Sequence, residues 1–386
     1  MTTRYSKHFE RAFNFTRFFS ELCGADVLND DYRMSWVTWY VIHLLNAAIG
    51  FTIYTVYVGM VNENDWTLPL KCLCMFCTGI QGYAKLINAI QKQQQYRFIH
   101  KEIIGIYTVY EQRKNYHKLL KESISLVKTL LNILLAIVIL VTLSIIGVPI
   151  FYNLVFNERI FIMPFFFPYV NYNTNFGYYL TSTFHVICVL FGGFGNFISD
   201  TWCFMFAAHI PLTKNILLAK FKELNELLEK DPLECVEIKN KLKDIFQWHQ
   251  KYLVFSKTVK NLFFWVIFIQ VAMEFVSIVC TIVCIFLNVW PAAPVFLFYS
   301  GVLFYFHCAL GNLVEISNDD VIFMIYDCDW YKLNVSQQKM ILIMLRESQQ
   351  SDGMSIGGVA PLTLNTALQL TKTIYTFSMM LRNFLK

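Results

Sequence analysis

Apolar residues gather in seven long stretches, at 36–60, 68–90, 129–152, 176–202, 262–289, 291–314 and 361–381. A helix of about 20 residues crosses the roughly 30 Å hydrocarbon core of a bilayer. Each stretch meets that length, and in lipid the backbone must satisfy its own polar groups. The pattern therefore predicts an all-α integral membrane protein with seven transmembrane helices. Two stretches are unusual. The second is polar at both ends and holds Lys71 and Lys85, and the seventh carries Thr366, Gln369, Lys372, Thr373 and Thr376.

Composition agrees with this reading. Of 386 residues, 56% are hydrophobic, 17% aromatic and only 15% charged, with a mean hydropathy of +0.45. A soluble domain carries about 25% charged residues. The net charge of +5 informs mainly through its distribution, because Lys and Arg near a span accumulate on the cytoplasmic side. Of the 32 basic residues, 25 lie in the N-terminal segment and in 91–128, 203–261 and 315–360, omitting Lys128 at a span edge. The opposite segments hold only Arg159, Arg382 and Lys386, while Lys71, Lys85, Lys128 and Lys372 lie in or beside spans. The N-terminus is thus expected in the cytoplasm and, after an odd number of spans, the C-terminus outside.

That orientation is the reverse of a G-protein-coupled receptor. No Asp-Arg-Tyr triplet closes the third span, and no Asn-Pro-x-x-Tyr occurs in the last. The sequons at Asn14 and Asn334 fall on the inner side, where no glycan is added. The charged N-terminal segment is not a secretory signal. Eight of the eleven cysteines fall in apolar runs, which does not suggest a disulfide framework.

Candidate chemistry is sparse. Cys72, Cys74 and Cys77 are closely spaced, but on a helix Cys72 and Cys74 point about 160° apart, so packing thiols are expected and no metal site. Glu274, near the middle of the fifth span, is expensive there and needs a role or a partner. His185 could donate to a ligand or be a satisfied core histidine. The "FGGFG" run at 191–195 lacks a preceding strand and reads as close helix packing. No Ser/His/Asp, paired-carboxylate or phosphate-loop arrangement is present. The sequence therefore argues for no enzyme, no cofactor and no nucleic-acid partner.

The polar groups of the seventh span form one stripe. With Thr366 at zero on a helix advancing 100° per residue, Thr373, Met380, Gln369, Thr376 and Lys372 fall between about −20° and −120°. In lipid such a stripe must face protein or water. The threonines could instead bond back to their own helix and pack against neighbours. Ile374 and Ser378 fall on the other side, at about +80° and +120°.

Seven spans with the N-terminus inside, closed by "GGVAPLTLNTALQLTKTIYTFSMMLRN", resemble the insect odorant receptor family. "MPFFFPYVNYNTNFGYYL" matches through Pro164, Phe165, Pro168, Tyr178 and Tyr179, and Asp200 ends the fourth span as the family's Asp does. "LKDIFQWHQKYLVFSKTVKNLF" is similar to the family's inner helix with His249. "YDCDWYKL" and "QQKMILIMLRESQQ" match the segment before the last span, through Trp330 and Tyr331. The co-receptor's long insertion between the fourth and fifth spans is absent, so the chain resembles a ligand-tuned subunit. Ile374 and Tyr375 followed by Arg382 depart from the gustatory pattern.

The resemblance implies a subunit of a tetrameric, odorant-gated, nonselective cation channel in the plasma membrane of olfactory sensory neurons, assembled with a shared co-receptor and surrounded by lipid. Residues 1–314 would form a six-span bundle binding a small volatile ligand, 315–360 a cytoplasmic anchor, and 361–386 the pore-lining span with the extracellular C-terminus. Pocket positions implied in the outer half are Met75, Phe76, Ser144, Val148, Phe151, Tyr178, Ser182, Val186 and Tyr299, with Pro149 kinking the third span. Pore and gate positions are Thr366, Gln369, Thr373, Thr376, Met379, Met380 and Arg382. Anchor positions are Trp330, Tyr331, Met340, Ile341 and Met344, the alternative for the apolar face of Met340, Ile341 and Met344 being burial against the chain's own inner helices. A gustatory-type homotetramer and a small-solute transporter are the rival readings. A transporter should show internal repeats and broken spans, and neither is visible.

Overall fold

A computed structural model describes residues 4–29, 34–63, 65–171, 174–230, 235–350 and 353–384. Eleven α-helices follow in chain order among them. They are α1 (Arg4–Leu22), α2 (Trp36–Val58), α3 (Thr67–Gln91), α4 (Gln93–Tyr110), α5 (His117–Phe156), α6 (Asn175–Ala207), α7 (Ile210–Lys230), α8 (Cys235–Phe286), α9 (Ala293–Asp327), α10 (Val335–Gln349) and α11 (Leu364–Phe384). A two-residue hairpin, β1 (Ser355–Ile356) antiparallel to β2 (Ala360–Pro361), leads into α11. The chain is all-α, and each expected span has its helix.

Local chemistry sets several boundaries. Ser35 caps α2 through a reciprocal box with Thr38, and Asn334 caps α10 in the same way with Gln337. Thr174 caps α6 by accepting from the Gly177 backbone N–H. α5 ends at Asn157 in the left-handed region, and it continues as one helix through Pro149.

Among the described residues, five helical stretches are long and apolar enough to cross a membrane by themselves: Trp36–Val61, Lys114–Phe156, Asn175–Glu229, Val236–Phe286 and Ala293–Lys332. The two expected spans outside that set are α3 and α11. α3 can afford Gln81, Lys85 and Asn88 because all three are buried in protein, α3 being packed along α8 and flanked by α2 and α6. α8, with 52 residues, is about 78 Å long at 1.5 Å per residue, far more than a bilayer requires.

The surplus length of α5, α8 and α9 joins α1, α4, α7 and α10 in an inner assembly. The principal core lies there, around fully buried Tyr96, Tyr107, Tyr116, Tyr252, Phe206 and Phe221. The outer half holds only small apolar clusters, one around Cys74, Cys284 and Trp290 and another around Leu44, Phe165 and Cys188. A dense base thus supports a loosely filled outer half.

α1 docks on α4 through Phe13, stacked 3.9 Å from the His100 ring. Burial, with Arg17 and Lys101 nearby, pushes His100 down to about 4 from its ordinary 6.5. Because the folded value lies below the unfolded one, this contact contributes fully above pH 6.5 and is lost as the pH falls toward 4. Purified protein is expected to melt lower at pH 5 than at pH 7.5. The His100→Phe variant should lose about 1 kcal/mol of that difference, allowing for the ring's partial exposure. An unchanged pH dependence in the variant would remove His100 from the account.

Candidate ligand cavity and pore-facing helix

The outer loop between α5 and α6 turns down into the bundle. His185, in α6, holds it by accepting from the Met163 backbone N–H at 3.4 Å through Nδ1 and donating to the Phe165 carbonyl at 3.0 Å through Nε2. Thr55 of α2 accepts from the Phe166 N–H at 2.9 Å, and the Cys72 thiol donates to the Pro164 carbonyl at 3.3 Å. His185 is therefore a satisfied core histidine. Cys72, Cys74 and Cys77 are all buried, and Cys74 lies 3.3 Å from the Thr281 hydroxyl of α8.

Beneath this plug is an apolar cavity of about 100 Å³ between α3, α5, α6 and α9. Its walls include Met75 and Thr78, then Val141, Thr142 and Ile145, then Cys188, Val189 and Gly192, and finally Trp290, Phe296 and Tyr299. A second space, of about 140 Å³, opens between α2, α3 and α6. Met75, Thr78, Met163, Cys188, Gly192 and Asn196 line both.

Of the positions expected in the pocket, Met75 and Tyr299 line the inner cavity and Phe76 lines the α2 space. The others do not line either one. Ser144 donates back to the Leu140 carbonyl, Val148 packs beside Trp290, and Phe151 is 55% exposed on the outer surface of α5. Tyr178 packs on Phe161 of the loop with the Arg159 guanidinium over its ring, and Ser182 and Val186 are half-buried. The loop fills the outermost level, so the cavity lies about one helical turn deeper, at Val141, Ile145 and Val189. The glycines were the available signal for that depth. A Cβ at Gly192 or Gly195 would meet nothing within 4 Å, so "FGGFG" makes open space rather than the expected close helix packing.

Below the cavity, four helices contribute to a buried polar network. Lys85 of α3 lies 2.8 Å from Asp200 of α6, and His307 of α9 lies 3.3 Å from the same carboxylate. On α8, Gln270 donates to Glu274 at 2.5 Å. The partner that Glu274 needed is thus found on its own helix.

α11 is buried along one narrow seam. Ala367, Ile374 and Ser378 face the bundle at 0–5% exposure, whereas Gln369, Lys372, Thr373, Thr376 and Met380 are exposed. The polar arc lies roughly opposite the seam. Within it, Thr373 donates to the Gln369 carbonyl and Thr376 to that of Lys372, each at 3.0 Å. Thr366 stands apart, buried at 9% and 3.1 Å from the Thr363 hydroxyl. Met379 is half-buried. Arg382 rests its guanidinium 4.9 Å from the Phe286 ring of α8, away from the polar arc.

On the inner side, Ile341 and Met344 are buried and Met340 is half-buried, all three packed into the chain's own core. Trp330 and Tyr331 remain exposed, as do Val335, Leu342 and Ile343 on the opposite side of α10, which the sequence reading did not single out.

α9 connects the cavity to α11. Phe296 and Tyr299 line the cavity; one or two turns on, the Tyr305 hydroxyl is 2.9 Å from that of Thr371. Next, Gly311 lies against Leu362, just ahead of α11.

Comparison with solved structures gives the same fold. The olfactory receptor OR5 of the insect Machilis hrabei superposes with a TM-score of 0.79 in its complex with eugenol, at 10% identity, over 99% of this chain and 100% of that one. A second OR5 structure gives 0.74, again at 10% identity, over 98% and 99%. In sequence, the chain is 26% identical to "Putative odorant receptor 83c" of Drosophila melanogaster over 98% of both chains. The family model for the 7tm odorant receptor matches residues 66–375. By that match, over most of its length, the chain belongs to the 7tm odorant receptor family.

Proposed function

We propose that this chain is the odorant-binding subunit of a ligand-gated, nonselective cation channel, assembling as a tetramer with a shared co-receptor in the plasma membrane of olfactory sensory neurons. The observation that carries the proposal is the placement of α11's polar arc. Gln369, Lys372, Thr373 and Thr376 face away from their own bundle, opposite the seam of Ala367, Ile374 and Ser378. A polar face has no place against lipid, and copies of it around a shared axis would enclose water. Met380, 53% exposed on that arc near its outer end, supplies an apolar ring that closes by dewetting.

In this reading a small volatile ligand fills the cavity under the outer loop and displaces α9 at Phe296 and Tyr299. α9 passes the shift to α11 through Thr371 and Leu362. A ligand moves such an equilibrium only by its differential affinity for the two states, so the cavity must change shape on opening.

The test is electrical. Cells expressing the chain with the co-receptor should carry an odorant-evoked cation current. Cysteines replacing Thr373, Thr376 or Met380 should react with an externally added charged thiol reagent, roughly tenfold faster with odorant present, while cysteines at Ile374 and Ser378 react slowly. Equal reactivity around the helix would sink the assignment of α11 to the pore.

A further inference from the structure

The apolar cavity does not end in an apolar floor. Below it lies a small recess, a chamber of about 10 Å³ with room for a single hydroxyl or amine group, reaching α8 and lined by Gln270, Glu274 and Ser277. Thr78, Asn196, Phe296 and Tyr299 line both spaces, so the two adjoin. Polar atoms sealed from water are normally paired. Several here are not. Glu274 uses one carboxylate oxygen to accept from Gln270, and its other oxygen has no partner among the described residues. The Gln270 amide oxygen and the Asn196 amide oxygen likewise lack one, as does the Ser277 hydroxyl. The residues are 1–6% exposed.

Lys85 also lines the chamber, with its ammonium 2.8 Å from Asp200, and the remaining orphans are one-sided. Three are acceptors, two amide oxygens and a carboxylate oxygen, and the hydroxyl can also accept. The cationic donors of the region do not supply them, since Lys85 and His307 both turn to Asp200. An unmet buried acceptor is costly to leave unpaired, so a molecule that reaches the chamber with a donating group gains affinity there that an otherwise equal hydrocarbon does not. We infer that the chamber under the cavity is a head-group subsite, lined by Glu274, Gln270 and Asn196, for ligands whose polar end donates hydrogen bonds, a hydroxyl or an amine, while the apolar body occupies the cavity above. This rests on the cavity being the ligand site and specifies the ligand's chemistry.

The experiment compares four probes matched in length: 1-octanol, octylamine, methyl heptyl ether and n-nonane. Each is titrated against evoked current in cells expressing the chain with the co-receptor, and against thermal stabilisation of the purified protein. The alcohol and the amine should act at concentrations about tenfold lower than the ether and the alkane. Glu274→Leu and Asn196→Leu should each bring the four toward parity by weakening the donors alone. Equal potency of all four on the wild type would overturn the subsite, as would variants that weaken all four alike. Should Glu274→Leu fail to reach the surface, Asn196→Leu decides by the same criterion. Preferential stabilisation by alcohol and amine without any current would uphold the subsite and reject the channel. Current without preference would do the reverse.

Discussion

Asp200→Ala is expected to remove most of the protein from the cell surface. Asp200 is 2% exposed and is the shared anion for Lys85 and His307, so it joins α3, α6 and α9 at one point within the membrane. Deleting one partner of a buried pair leaves a charge with neither water nor counter-ion and costs about 3–5 kcal/mol. Native stability is only about 5–15 kcal/mol in total. Surface labelling of an epitope-tagged chain and the monodispersity of the solubilised protein both measure the loss. A Lys85→Met/Asp200→Leu pair should recover part of it, because apolar replacement removes both charges together. Lys332→Ala, which removes an exposed pair with Asp329 and a cation over the Tyr331 ring, should leave surface levels unchanged. Wild-type surface levels for Asp200→Ala would mean that the network is dispensable.

Gly311→Ala is expected to damage the connection between α9 and α11. A Cβ at Gly311 would sit 2.0 Å from the Leu362 carbonyl oxygen and 2.7 Å from its side chain, distances that real atoms do not tolerate. Leu362 cannot simply retreat. It is 1% exposed, and its N–H is tied to the Met354 carbonyl at 2.8 Å. Overpacking of this kind costs about 1–3 kcal/mol, and here it displaces the backbone that feeds α11. Less protein should reach the surface, and the receptors that arrive should give a reduced evoked current per labelled subunit. Gly301→Ala on the same helix is the control, since its Cβ would meet nothing within 4 Å. Normal current per subunit in Gly311→Ala would show that the lead into α11 yields without consequence for gating.

The spans were legible because a bilayer imposes a length and a composition. α3 was readable as a span despite Lys85 and Gln81 only through its length, and the shielding of those residues by α2, α6 and α8 comes from tertiary packing. The polar arc of α11 was legible in detail, with Ile374 and Ser378 on the expected opposite side. Thr366 escaped because its hydroxyl is drawn to Thr363, a contact of the turn before the helix that a helical projection does not represent. The cavity was legible in which helices surround it but not in depth. Nothing in Tyr178, Ser182 or Phe151 announces that the outer loop descends to fill their level, since that depends on His185, Thr55 and Cys72 from three helices converging on one loop. On α10 the apolar face was visible. What it packs against was not, because Ile341 and Met344 are equally suited to their own core and to a partner's.

The back-bonding of the α11 threonines has a consequence for the sign of what they favour. The hydroxyl hydrogens of Thr373 and Thr376 are committed to the carbonyls of Gln369 and Lys372 one turn earlier. A hydroxyl so committed keeps its lone pairs and no longer has a hydrogen to offer outward. Each oxygen thus becomes a fixed negative dipole end, much as a carbonyl would be. If α11 lines a pore, these two oxygens can replace part of a cation's hydration shell, set against the exposed Lys372 ammonium on the same arc. The sign of the ions this arc favours would then be decided between the threonine oxygens and Lys372, since α11 carries no acidic side chain.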